Sequence, residues 1–225
     1  MSQADNSTHP RVLIIGGYGV FGSRLSRRLA KHADVDVIVA GRSLAAAKVH
    51  CDAFGGMPAS IDTGGDLAEE FAEWQPTVVV DAAGPSQLYG DDPYRVARAA
   101  LAAGAHYIDL ADDGTFVAGI GELDRAATEA GRVALSGCSS VPAVSAAAVR
   151  ALSAGLTSIE SISSSILPGN RAPRGPSVVR AILAQVGKAI RVRKGGEWTT
   201  VKGWCAVQRT SLQVSDRKAP IKRYA

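Results

Sequence analysis

Over the first two thirds of the chain, short apolar runs alternate with amphipathic stretches, and Gly, Pro, Asp or Ser punctuate the changes. Arg11-Val12-Leu13-Ile14-Ile15 reads as a buried strand. Leu25, Leu29 and Ala30 then recur at helical spacing, with Arg24, Arg27, Arg28 and Lys31 between them. Val35 to Ala40 is a second strand, followed by a helix carrying Leu44, Ala47 and Val49 with Ser43 as its N-cap. Met57 to Ile61 and Thr77 to Asp81 give a third and a fourth strand, with an amphipathic helix from Leu67 to Trp74 between them. Asp91-Asp92-Pro93 opens a helix that runs through Ala103 and ends at Gly104. His106 to Leu110 is a fifth strand, Ile120 to Ala130 a helix closed by Gly131, and Val133 to Leu135 a sixth strand. Strands alternating with helices predict a parallel, doubly wound α/β sheet.

Past Ala154 the rhythm changes. Ser158 to Leu167 alternates like a strand and Pro176 to Val186 has helical spacing. Ile190 to Lys194, Glu197 to Gly203 and Ala206 to Val214 read as antiparallel strands, with Gly195-Gly196 as a hairpin turn. The expected division is a disordered polar leader over 1–10, a doubly wound domain over 11–154 and part of an α+β domain over 155–225. The pattern stops at Arg223-Tyr224-Ala225 without a closing helix, so a truncated version of a longer protein is expected.

The turn after the first strand carries the most specific chemistry. Gly17-Tyr18-Gly19-Val20-Phe21-Gly22 is a Gly-x-Gly-x-x-Gly sequence between a strand and a helix, the fingerprint of a dinucleotide-binding Rossmann unit. The first glycine allows the tight turn, the second lets the backbone approach a pyrophosphate, and the third lets helix and strand pack closely. The phosphates would meet the helix N-terminus, where unpaired N–H groups and the positive end of the dipole face them. About 20 residues beyond such a turn, an NAD-preferring unit carries Asp or Glu on the ribose 2′-hydroxyl. This chain has Gly41-Arg42-Ser43 there. A guanidinium pairs with a 2′-phosphate that a carboxylate would repel, and a serine hydroxyl adds a donor, so NADP(H) is expected over NAD(H).

Composition narrows the setting. The chain of 225 residues is 46% hydrophobic with only 5% aromatic residues, as expected for an alanine- and valine-rich α/β protein. No apolar run approaches a membrane span, and Cys51, Cys138 and Cys205 match neither a disulfide framework nor a zinc site, so a reducing cytoplasmic setting without membrane or metal is expected. Residues 1–170 carry 12 basic and 19 acidic side chains, whereas 171–225 carry 13 basic and 2 acidic. Such a basic tail fits a nucleic-acid surface or the wet face of a half-buried sheet. Its charges alternate with apolar residues, as in Ile190-Arg191-Val192-Arg193, and no nucleic-acid motif accompanies it, which favours the sheet.

The glycine turn, Val80-Asp81-Ala82-Ala83-Gly84-Pro85, His106 to Asp112, and Ser136-Gly137-Cys138-Ser139-Ser140-Val141-Pro142 together resemble the saccharopine dehydrogenase-like oxidoreductases. The likeness spans Arg11 to Leu152 and continues more loosely through Pro168 to Gly175. It implies an NADP-binding Rossmann domain joined to an α+β substrate and dimerisation domain. It also implies hydride transfer at a carbon–nitrogen bond of an amino-acid-type substrate, and a possible homodimer.

Several residues have two readings each. Ala83, Gly84 and Pro85 leave the fourth strand at the carboxyl edge, either to admit the cofactor's ribose and nicotinamide or to make a tight turn. Asp81, within an apolar run, reads as a structural hydrogen-bonding group. Asp109, Asp112 and Asp113 cluster after the fifth strand, as a general acid with a raised pKa or as a helix cap before Phe116. Arg171 and Arg174 flank Pro173 in a loop, either clamping a substrate carboxylate or lying in solvent. Cys138 precedes a helix beginning near Pro142, as a thiolate nucleophile does in semialdehyde dehydrogenases or as an ordinary buried thiol. The nucleophile reading needs a histidine base, and no histidine follows His106. A non-catalytic NADP(H)-binding sensor or assembly protein is the third possibility.

Overall fold

A computed structural model describes residues 9–86, 89–166, 171–172, 175–205, 207–214 and 217–224. The chain divides into two compact units, one ending at Glu160 and the other beginning at Ser161. In the first, β1 (Arg11–Ile15), β2 (Asp36–Gly41), β3 (Met57–Ser60), β4 (Val78–Asp81), β5 (His106–Asp109) and β6 (Ala134–Leu135) form one sheet. Their order is β3-β2-β1-β4-β5-β6, and every pairing is parallel. This is the Rossmann order, with the reversal between β1 and β4.

The strands are apolar on both sides because helices cover both faces. On one face Leu13, Ile15, Ile38 and Val79 pack with Phe71 of α3 (Leu67–Trp74), with Val96, Ala97, Ala100 and Leu101 of α4 (Arg95–Ala102), and with Tyr107. On the other, Ile14, Val37, Val39 and Val80 meet Leu25 and Leu29 of α1 (Gly22–Leu29) and Cys51 of α2 (Leu44–Phe54). Each fully buried aliphatic side chain contributes roughly 1.5–3 kcal/mol relative to exposure, so the two clusters hold the sheet together. The register levels the strand ends: Ile15 lies opposite Ala40 and Asp81, and Asp81 opposite Asp109. The loops leaving β1, β2, β4 and β5 therefore open on one edge.

Helix α4 begins later than the Asp91-Asp92-Pro93 signal implies, with Tyr94 as its N-cap. The Asp92 carboxylate pairs with the Arg98 guanidinium instead of capping the helix. The single helix expected over Ile120 to Ala130 is a 3₁₀ turn (Ile120–Leu123) running into α6 (Asp124–Ala130), and α5 (Gly114–Gly119) precedes both. After β6, one irregular turn over Ser140–Val144 leads into α7 (Ser145–Leu152). Among the described residues no helix is long and apolar enough to cross a membrane.

The second unit contains α8 (Pro176–Gln185) and two separate antiparallel hairpins. Strands β7 (Ala189–Lys194) and β8 (Glu197–Lys202) join through Gly195 and Gly196, whose φ values of +61° and +84° suit the left-handed turn that glycine pairs favour. In β7, Arg191 and Arg193 are exposed and Ile190 and Val192 partly covered, the alternation expected of that segment. Strand β9 (Val207–Val214) pairs with β10 (Arg217–Tyr224), which the sequence reading omits, and not with β8. Pro220 and the basic residues around it disguise β10, because proline removes a ladder donor and is confined to edge strands. The strand expected over Ser158 to Leu167 is absent from its described part, residues 158–166. Alternation alone does not make a strand without a ladder partner, and Ile159, Ile162 and Ile166 are exposed. Residues 1–8 of the expected leader lie outside the described residues.

Candidate cofactor-binding site

The glycine turn is built for close approach. A Cβ on Gly16, where φ is +75°, would lie 2.6 Å from the Ala82 carbonyl oxygen, and one on Gly17 would lie 2.8 Å from that of Ile14. On Gly22 it would sit 2.2 Å from the Gly16 oxygen, so α1 packs directly on the turn. Gly19 differs: only the Gly16 oxygen, at 3.0 Å, lies within reach of a Cβ there, and the rest of that side is open. Helix α1 has no side-chain cap and no acidic residue in its first turn. The N–H groups of Val20, Phe21 and Gly22 meet no acceptor among the described residues. Open space beside Gly19 and free amides at a helix N-terminus fit the pyrophosphate of a dinucleotide.

The ribose end is set by Tyr18. Its hydroxyl accepts a hydrogen bond from the Ser43 N–H at 3.0 Å, and its ring lies so close to Gly41 that a Cβ there would be 2.6 Å from the phenol oxygen. This fastens the Arg42–Ser43 loop to the glycine turn. Ser43 Oγ accepts from the Ala46 N–H and caps α2, while its own proton stays available for donation. Arg42 is exposed and forms no ion pair among the described residues, so its guanidinium is free for a phosphate.

On the other side of β1, the Ala82 N–H donates to the Ile15 carbonyl at 2.9 Å, drawing the turn with Ala83, Gly84 and Pro85 against Gly16. The Gly84–Pro85 peptide is cis. The fingerprint, the Arg42–Ser43 loop and this turn thus meet at the carboxyl ends of three neighbouring strands. A surface hollow lined by Arg11, Met57, Glu73 and Trp74 lies instead at the amino ends of β1 and β3.

The expected acids do not form one cluster. Asp113 Oδ1 accepts from the Thr115 and Phe116 N–H groups and caps α5, the structural alternative of its two readings. Asp109 is 3% exposed, and its Oδ1 accepts from Ala111 N–H, Gly137 N–H and Ser136 Oγ, tying β5 to the turn after β6. Asp112 stands in the loop between them. Asp81, which the sequence marks as a structural hydrogen-bonding group, takes that role beside Asp109 in register and is also 3% exposed. Asp81 Oδ1 accepts from the Ala83 N–H and the Tyr89 hydroxyl, and Oδ2 of both aspartates is buried without a hydrogen-bond partner. Burial drives the Asp81 pKa up to about 6, with Asp109 adding to the rise, against the lowering by Ala83 N–H, Tyr89 and Tyr107. Burial and these carboxylates also push the Tyr89 and Tyr107 hydroxyls well above the ordinary phenol range.

Cys138 is the candidate that fares worst. The residue is exposed, which overturns the buried-thiol alternative; its N–H donates to the Asp109 carbonyl at 2.9 Å, and desolvation of the thiol together with the Asp109 charge raises its pKa, the reverse of an activated thiolate. His106 is no base for it: it opens β5 at the amino edge, where its Nδ1 accepts from the Val133 N–H. Arg171 is exposed, and Arg174 lies outside the described residues.

Comparison with known proteins agrees with this geometry. The family described as saccharopine dehydrogenase NADP binding domain matches residues 12–151. No curated protein matches in sequence. Among solved structures, apo saccharopine dehydrogenase (L-Glu forming) from Saccharomyces cerevisiae is similar at 22% identity and a TM-score of 0.53, over 64% of this chain and 31% of that one. Biliverdin reductase from Synechocystis, in complex with biliverdin and NADP+, is similar at 22% identity and a TM-score of 0.40, over 56% of this chain and 37% of that one. This chain therefore spans about a third of the length of these proteins.

Proposed function

The chain belongs to the saccharopine dehydrogenase NADP-binding family of NAD(P)-dependent oxidoreductases, and on that premise we propose that it prefers NADP(H) to NAD(H) and serves oxidoreduction at a carbon–nitrogen bond of an amino-acid-type substrate. The observation that carries the preference is Arg42, exposed beyond β2 where a ribose-binding carboxylate would otherwise stand. Arg42 would hold the 2′-phosphate with help from Ser43. The Val20, Phe21 and Gly22 N–H groups would hold the pyrophosphate, and the turn of Ala83, Gly84 and Pro85 would border the nicotinamide end. When bound, the cofactor supplies or accepts the hydride equivalent of the reaction. Arg171 and Arg174 are the proposed contacts to a substrate carboxylate, the domain boundary falls near residue 154, and a homodimer in a cytoplasmic setting fits the family resemblance.

Asp109 and Asp113 are committed to structural hydrogen bonds, and this favours a second reading: a chain that binds NADP(H) without turnover. Both readings share the binding half. A charge-assisted hydrogen bond contributes about 1.5–3 kcal/mol, so Arg42→Asp should weaken NADPH binding by at least about tenfold and leave NADH binding nearly unchanged in calorimetry. Equal losses for both would remove the 2′-phosphate role.

A further inference from the structure

Beneath the glycine turn lie two buried polar side chains that no step above uses. Ser26, on α1 one turn beyond Gly22, is 0% exposed, and His50 on α2 is 8% exposed. Ser26 Oγ lies 3.0 Å from the Gly17 carbonyl oxygen, 2.8 Å from His50 Nε2 and 3.2 Å from the Ser23 carbonyl oxygen. A serine hydroxyl has one proton to give. Donated to Gly17, the nearer carbonyl, it leaves the oxygen as an acceptor, and His50 then donates from Nε2–H. The imidazole stacks at a tilt on Phe54, 5.1 Å between centroids, and the Arg27 guanidinium lies 4.0 Å from the centre of the same ring. Burial and, secondarily, the Arg27 charge lower the His50 pKa, which keeps the ring neutral at physiological pH.

We propose that Ser26 and His50 are positioning residues for the cofactor: a two-bond tether from α2 through α1 that grips the Gly17 carbonyl and so sets the direction of the amides that follow it. Burying a serine and a histidine side by side is unfavourable unless both are hydrogen-bonded, and apolar residues would fill the same space without that demand. What the pair adds is direction. With the Gly17 C=O drawn inward, the turn is held in the form that leaves the Val20, Phe21 and Gly22 N–H groups unpartnered within the protein. Binding through several amides at once depends on their placement to about half an ångström, which a glycine-rich turn does not supply alone. The argument rests on the cofactor reading proposed above, but the tether itself can be observed without any cofactor.

The test compares Ser26→Ala, His50→Leu and His50→Gln in the whole chain, with NADPH and NADH dissociation constants, thermal unfolding, and amide hydrogen exchange at Gly17, Gly19 and Ser23, whose N–H groups donate to the Ala40, Gly16 and Gly19 carbonyls. Ser26→Ala and His50→Leu should weaken both cofactors by the same factor, about tenfold, because the pyrophosphate turn is common to them. The NADPH to NADH ratio should stay as in the unaltered chain, unlike the outcome for Arg42→Asp. Glutamine offers an N–H near the place of Nε2, so His50→Gln should restore most of the affinity and the slow exchange. If the folded variants bind as the unaltered chain does, or lose stability with no change in affinity, the positioning role is refuted. Should the unaltered chain bind neither cofactor, the function proposed above fails, and exchange alone decides: faster amide exchange in Ser26→Ala and His50→Leu but not in His50→Gln upholds the tether, and equal exchange in all refutes it.

Discussion

Replacing Asp81 by asparagine removes one titration from the centre of the sheet with almost no change of shape. The carboxyl is 3% exposed, and burial raises its pKa from 3.8 to about 6. A folded-state pKa above the unfolded value means that the native chain binds the extra proton. This stabilisation is complete below pH 3.8 and is lost as the pH rises through 6. A shift of about 2 units at 1.36 kcal/mol per unit amounts to roughly 3 kcal/mol over the whole window, of which about 2 kcal/mol falls between pH 4 and pH 8. Asparagine keeps the Oδ1 acceptor for Ala83 N–H and Tyr89 and presents an amide in place of Oδ2. Urea unfolding of both proteins from pH 4 to pH 8, followed by circular dichroism, gives the difference in stability with every other titrating group nearly cancelled. The expected result is a difference that moves in favour of Asp81→Asn by about 2 kcal/mol as the pH rises, most of it below pH 7. Two parallel stability profiles would refute the claim that burial governs this carboxyl.

Three further substitutions or reactions probe the same edge. Gly19→Val should cost some stability, since a Cβ there comes to 3.0 Å from the Gly16 oxygen and that carbonyl must give, and the folded variant should lose at least about a hundredfold in binding of either cofactor by calorimetry, because the side chain fills the pyrophosphate's space. Gly16→Ala should destabilise the chain by roughly 2–4 kcal/mol in denaturant unfolding, since φ is +75° and the new methyl would meet the Ala82 carbonyl. The rate of Cys138 alkylation, followed by mass spectrometry, should rise with pH and level off at a higher pH than that of a free cysteine, in line with a thiol raised above its ordinary value. Fast alkylation at pH 7 would instead restore the nucleophile reading.

The Rossmann half was legible because its signals are local. Strands buried on both faces give unbroken runs such as Leu13-Ile14-Ile15 and Val78-Val79-Val80, and the glycine turn and Arg42 stand at spacings set by the shape of one βαβ unit. What stayed hidden depends on partners distant in sequence. Ser26 and His50 are 24 residues apart, and no periodicity marks their meeting under Gly17. Asp81 and Asp109 become neighbours only through the β4–β5 register, although each ends an apolar strand at the same level, a signal that aligning the strand ends would have exposed. The second unit was legible in part: Gly195-Gly196 marks one hairpin, whereas β10 is masked by Pro220 and its basic residues, and residues 158–166 alternate without pairing.

The central claim is that this turn and Arg42 make an NADP(H) site, and calorimetric titration of the purified chain with NADPH and with NADH tests it most directly. The account predicts saturable NADPH binding at least about tenfold tighter than NADH binding, the margin expected of one charge-assisted pair with the 2′-phosphate. Equal affinity for the two, or no binding of either to a chain shown to be folded, would contradict it.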